Sequence, residues 1–479
     1  MNILLIITNR YRGPIPVMPL GACLVAESCE REGHHVKLLD LMFERDPLHA
    51  LGAVIDKIKP DVVGVSLRNI DNNDMQHPVA FYNDLTLLME TICRKTDATV
   101  VLGGAAVGVM PEALLRFTEA DWAVLGDGEI VFPKVLDMLS KNMMPKDIAG
   151  VAWIEDTGFR INTGFVDRFS GNGLVPDFSR WINLPAYLSR FSPVPIQTKL
   201  GCHFKCVYCT YRKIEGQDYR LCDPQTIGGT IVDLERRGLR DIEFVDNVFN
   251  SPYDHAIELC DAIAKVQTNV RLQTVELNPY FVDDNLIGAM EQAGFVGIGI
   301  TVESAADHVL DRLKKGFTAR DVFNASEVIQ RHRIPCLWVF MLGGPGETEE
   351  TVQETLRFAE KCIGQNDVAL FMIGIRIYPG TELESIARAE GVLTLPPREM
   401  LKPVFYLSPS INKEWLLKKV SNSMATHLNF ITPAVIGLPF LPAINLAGYW
   451  LGVKPPLWKN TRYIRRGLRW LGMDVQSYP

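Results

Sequence analysis

One pattern occurs twice along this chain: short, continuously apolar runs separated by segments of helix length. In the first 140 residues the runs fall at 3–8, 36–41, 62–67, 100–102 and 123–125, with helical segments at 20–32, 51–58, 82–93, 112–117 and 129–139. Strands covered on both faces stay apolar throughout instead of alternating, so these runs read as parallel strands. The expectation for residues 1–141 is an α/β, doubly wound, Rossmann-like sheet, whose ligands bind beyond the carboxyl ends of the strands. A second series follows, with strands expected at 196–200, 242–245, 271–275, 297–302, 336–341 and 370–375. Helices at 225–237, 254–266, 284–292, 319–330 and 349–362 separate them, which suits a partial (β/α)6 barrel over residues 193–395 with its site at the strand C-termini. Between the two lies a linker, 142–192, containing an expected hairpin that turns at Asp156-Thr157-Gly158. A mostly helical extension occupies 396–479.

The first expected barrel strand runs into Gly201-Cys202-His203-Phe204-Lys205-Cys206-Val207-Tyr208-Cys209. Thiolates are soft ligands, and C-x3-C-x2-C on one loop can hold three corners of an iron–sulfur cluster or three positions around zinc. A structural zinc site needs a fourth ligand, for which Cys222 and His203 are the candidates. The other cysteines are scattered singly, as buried thiols in a reducing compartment are.

The remaining strand ends carry polar or glycine-rich loops. In the first series these are Ser66-Leu67-Arg68-Asn69-Ile70-Asp71-Asn72-Asn73, Gly103-Gly104 and Gly126-Asp127-Gly128-Glu129. A dinucleotide site is excluded, because the first strand is followed by Asn9-Arg10-Tyr11-Arg12-Gly13-Pro14 and not by G-x-G-x-x-G. In the second series they are Asp246-Asn247, Glu303-Ser304, Gly343-Gly344-Pro345-Gly346 and Tyr378-Pro379-Gly380.

A Ser-x-Leu and a Gly-Gly loop ahead of a cysteine triplet, with these barrel loops behind it, resemble the B12-binding-domain-containing radical SAM family. The resemblance implies three cofactors: a 4Fe-4S cluster, S-adenosyl-L-methionine (SAM) and cobalamin. It implies that Cys202, Cys206 and Cys209 ligate the cluster and leave one iron open to SAM. Tyr208, Asp246, Asn247, Glu303, Gly343 and Gly344 are then the expected SAM contacts. Ser66, Leu67, Arg68, Asn69, Gly103, Gly104, Gly126 and Glu129 are the expected cobalamin contacts. The Asp-x-His-x-x-Gly loop that supplies a histidine to cobalt in other B12 proteins is absent after the first strand, so Arg68 or a water could sit beneath the metal. The activity implied is reductive cleavage of SAM to a 5′-deoxyadenosyl radical and transfer of a methyl group through methylcobalamin to an unactivated carbon of a hydrophobic substrate. A cyclisation or rearrangement, a non-enzymatic cobalamin or cluster sensor, and a zinc-bound scaffold are the alternatives. An electron donor such as flavodoxin or ferredoxin is the implied protein partner.

The formal net charge of −7 argues against a broad nucleic-acid surface. The N-terminus has no basic segment and reads as a strand, so a cytoplasmic location is expected. In the extension no charged residue falls between Lys419 and Lys454, and Arg462, Arg465, Arg466 and Arg469 follow among Trp458, Tyr463 and Trp470. Either this stretch packs onto the barrel with a solvated basic helix behind it, or it makes a peripheral membrane contact.

Overall fold

In a computed structural model describing residues 1–163, 175–438 and 440–474, the first set of apolar runs forms parallel strands. β1 (Asn2–Ile7), β2 (His35–Asp40), β3 (Val62–Ser66), β4 (Thr99–Gly103) and β5 (Trp122–Val124) lie in the order β2-β1-β3-β4-β5. Ile3, Leu4, Ile6, Val62 and Val63 are fully buried, because helices cover the sheet on both sides. The expected hairpin is present as β6 (Val151–Glu155) and β7 (Gly158–Ile161). β6 pairs antiparallel with β5, so the hairpin covers this sheet's edge and extends it to seven strands among the described residues. Residues 164–174 of the expected linker lie outside the described residues.

The second sheet begins with β8 (Val194–Ile196), shorter than the strand expected at 196–200. The chain turns away at Thr198 and Lys199, whose backbone amides bond to the Asp246 carboxylate. A separate hairpin, β9 (Lys199–Leu200) with β10 (Arg220–Leu221), then brackets the cysteine loop. The sheet continues through β11 (Asp241–Phe244), β12 (Arg271–Leu277), β13 (Phe295–Glu303), β14 (Cys336–Leu342) and β15 (Val368–Ile373). A further hairpin pairs β16 (Ile375–Arg376) with β17 (Phe405–Tyr406). The sheet gains one strand that the sequence pattern does not announce, β18 (Phe430–Ile431). The final order is β18-β15-β14-β13-β12-β11-β8, with every pairing parallel.

The extension is thus built into the barrel. Arg465 is fully buried, paired with Asp474 at 2.9 Å and bonded to the carbonyl of Phe430 at 2.6 Å. Pro456 and Trp458 pack so closely against Gly297 that a side chain there would collide with them. The expected solvated basic helix is corrected at this point, since Arg465 locks the last helix onto β18. Trp450, Leu451 and Trp470 stay on the surface, at 77%, 83% and 86% exposure. No helix among the described residues is long and apolar enough to cross a membrane.

Candidate active site

The cysteine loop lies at the carboxyl end of the barrel strands and is held by its backbone. Cys202 N–H donates to Gly216 O, Val207 N–H to Leu313 O, and Leu383 N–H to Val207 O. Glu215 supports it from behind, accepting from Gly201 N–H at 3.1 Å, Gln197 Nε2 at 3.1 Å and the Asn247 amide. Cys202 is buried, while Cys206 and Cys209 are half-buried. Burial pushes all three thiols up, Cys209 to about 12, and the Lys315 cation opposes that rise at each of them. A buried ammonium beside three thiols favours their thiolate form, which is the form that binds iron. The thiols feel one another's charge, but among the described residues no three His, Cys, Asp or Glu side chains are grouped as ligands of a single ion.

Lys315 belongs to a buried triad. Its Nζ lies 2.8 Å from Glu303 Oε1, and the Tyr208 hydroxyl donates to the same oxygen at 2.6 Å. Burial alone would lower the Lys315 ammonium, but the Glu303 charge and the nearby thiols reverse this and hold it above its ordinary value. Glu303 ends β13 with φ of 55°, a left-handed conformation that costs energy for a side chain of this kind. It is 4% exposed, and among the described residues its Oε2 has no hydrogen-bond partner. An oriented carboxylate oxygen left unpaired in a buried site suits a hydroxyl-bearing ligand such as a ribose.

Other expected SAM contacts are placed differently. Asp246 is 1% exposed, and Oδ1 accepts from the amides of Thr198 and Lys199 while Oδ2 accepts from the Thr198 hydroxyl. Those bonds hold it against the strand end. Asn247 faces Glu215. The amides of Gly343 and Gly344 both donate to Glu347, a fully buried carboxylate that shapes this loop from within.

Across from the cysteine loop, a cavity of about 340 Å³ opens at the carboxyl end of the first sheet. Ser66, Arg68, Gly103, Gly104, Gly126 and Glu129 line it, and Asn69 shares a smaller neighbouring cavity with Arg68. The barrel supplies Pro195, Ile214 and Val245 to the same wall. Leu67 is 3% exposed, with its side chain in the core. Its carbonyl instead sets the path of Gly104, whose φ of 99° and contact with that oxygen leave no room for a side chain. At Gly103, by contrast, an added Cβ would meet nothing within 4 Å among the described residues. A roomy, mainly apolar cavity edged by glycine backbone suits the nucleotide tail of a corrinoid.

Lys315 and Arg220 are among the supporting residues that the sequence pattern does not reveal. Lys315 sits in Leu313-Lys314-Lys315-Gly316, which resembles any solvated basic turn. Arg220 pairs with Asp127 at 2.5 Å and so ties the Gly126 turn to the hairpin that brackets the cysteines.

Two family models match the chain, one described as the Radical SAM superfamily over residues 196–359 and one as the B12 binding domain over residues 14–136. An uncharacterized methyltransferase of Pyrococcus horikoshii is 28% identical over 386 residues, covering 78% of this chain and 79% of the relative. The hopanoid C-3 methylase of Methylococcus capsulatus is 29% identical over 252 residues, covering 52% of this chain and 45% of the relative. Among solved structures, the radical SAM methyltransferase TsrM from Kitasatospora setae, with cobalamin and a 4Fe-4S cluster bound, superposes with a TM-score of 0.85. Its identity is 23%, over 98% of each chain, so that likeness speaks for the fold.

Proposed function

We propose that this chain, which matches the Radical SAM superfamily model over residues 196–359 and the B12 binding domain model over residues 14–136, is a cobalamin-dependent radical SAM enzyme transferring a methyl group to carbon. The observation that carries this reading is the shared wall: Pro195, Ile214 and Val245, around the cysteine loop, line the cavity of the B12 domain. A cluster on the barrel side would then adjoin a corrinoid held in this cavity. When bound, the cluster supplies the electron that splits SAM to a 5′-deoxyadenosyl radical, and cobalamin supplies a carrier for the methyl group.

The chain's own residues hold and orient these groups. Cys202, Cys206 and Cys209 would bind the cluster, with Lys315 compensating their charge. Glu303 Oε2 and Tyr208 would receive the ribose side of SAM. Ser66, Gly103, Gly104, Gly126 and Glu129 would receive the cobalamin tail, and Arg68 and Asn69 would face its ring. A small-molecule acceptor would lie between, where both domains exclude water. A protein electron donor and a peripheral bilayer contact through Trp450, Leu451 and Trp470 complete the proposal. Liposome partition of the full chain tests the second of these, and a chain that stays in the supernatant removes it.

The deciding experiment is an anaerobic incubation with SAM and reductant, followed by mass spectrometry. Deoxyadenosine together with S-adenosylhomocysteine and a methylated product is expected. Deoxyadenosine without S-adenosylhomocysteine would move the reading to cyclisation or rearrangement.

A further inference from the structure

The loop that follows β3 does not rest on its own domain alone. Asp71, fully buried, pairs with Arg376 of β16 at 2.7 Å across 305 residues of sequence. The rest of the Arg376 guanidinium is saturated by the barrel: Nη1 donates to Ile377 O at 2.6 Å and Nη2 to Met400 O at 2.7 Å. Its Cζ lies 4.9 Å from the centre of the Tyr378 ring, and the Tyr378 hydroxyl donates to Asn73 Oδ1 at 2.9 Å. Two residues on, Met75 enters the barrel where Gly374 (φ of 72°) leaves space that any side chain would fill. The loop is stiff between these points. Asp71 caps the Asn73 amide, and Asn72 bonds both to His77 O and to the Val79 amide.

Arg68 and Asn69, which line the cavities, stand three and two residues before Asp71, and only the buried Ile70 separates them from the pair. We propose that Arg376 is a positioning residue for the cobalamin side of the site: through Asp71 it sets where Arg68 and Asn69 stand relative to the barrel. The proposal rests on the reading of the N-terminal cavity as a cobalamin site. Arginine suits the task because its planar fork fixes direction as well as distance. Ligand-facing groups held within about 0.5 Å need neighbours that are themselves locked, and Arg376 has a partner on every nitrogen.

The test uses full-length, cluster-reconstituted protein with Arg376→Gln, Asp71→Asn, the double variant and Tyr378→Phe. Cobalamin affinity is read from visible absorption, and the paramagnetic resonance spectrum of bound cob(II)alamin reports the surroundings of cobalt. Iron content and SAM affinity are the controls. Arg376→Gln and Asp71→Asn are expected to weaken cobalamin binding about tenfold and to shift the cob(II)alamin spectrum, with iron and SAM binding unchanged. The double variant should bind no worse than the weaker-binding single variant, since both lose the same bond. Tyr378→Phe, a milder change, should weaken cobalamin two- to threefold, about 0.5 kcal/mol. It decides the matter if Arg376→Gln fails to fold. Folded variants with wild-type cobalamin affinity and spectrum would overturn the assignment. A wild-type chain that takes up SAM but no cobalamin would overturn the cofactor reading along with it.

Discussion

Lys315 Nζ and Glu303 Oε1 form a 2.8 Å ion pair that is almost wholly shut off from solvent, with side-chain exposures of 8% and 5%. Removing one member of a buried pair leaves the other charged and unsolvated, which costs about 3–5 kcal/mol. Lys315→Met should therefore lower the urea-unfolding free energy by that order. It should also reduce iron uptake, because the cation beside the three thiols is lost. Unchanged iron content in a folded Lys315→Met protein would contradict the second part.

Glu303→Gln acts on binding as well as on folding. The amide oxygen still accepts from Tyr208 and Lys315, but the Lys315 ammonium stays buried without its counter-charge, so stability should fall by about 3 kcal/mol. The oxygen without a partner among the described residues becomes an NH2 group or is reoriented, and SAM affinity should drop about tenfold. Calorimetric titration of SAM into both proteins checks this.

Adjacent glycines should behave in opposite ways. Gly104→Ala forces a side chain onto the Leu67 carbonyl at positive φ and should destabilise the chain by about 2 kcal/mol or more. Gly103→Ala places a methyl group in open cavity, so melting temperature should hold while cobalamin affinity falls. Thermal melts and visible-absorption titrations of both variants distinguish the two effects.

Much of this arrangement was legible in the sequence, for identifiable reasons. Parallel strands buried on both faces betray themselves as apolar runs, and β1 to β5 fell within one or two residues of expectation. The cysteine triplet was legible because its spacing is local. Long-range chemistry was not: Lys315 reads as a surface lysine until the fold brings it to Glu303, and nothing at Arg376 points to Asp71. Asp246 and Leu67 show the converse. Each stands at a strand end where a ligand contact is expected, yet side-chain direction, which only the packing decides, turns both inward. β18, two residues long, carries too little periodicity to be seen.

The Glu347 carboxyl gives a pH dependence. Burial pushes it up to about 7 from its ordinary 4.5, against the two glycine amides that pull it down. The folded chain then binds more protons than the unfolded chain between those values, so stability is lost as pH rises through the window. The difference corresponds to about 3 kcal/mol. Glu347→Gln should remove that share of the slope, comparing urea unfolding at pH 5 and pH 8. An identical slope in both proteins would refute the assignment.

The central claim is that one chain holds a SAM-cleaving cluster and a cobalamin in facing, separately built sites. Cofactor content after anaerobic reconstitution tests it most directly, in wild type and in a Cys202→Ala, Cys206→Ala, Cys209→Ala triple variant. The wild type should carry about four iron atoms and about one cobalamin per chain, as a single cubane cluster and one corrinoid require. The triple variant should lose its iron and keep its cobalamin. A wild-type chain that binds iron but no cobalamin, or none of either, would contradict the account.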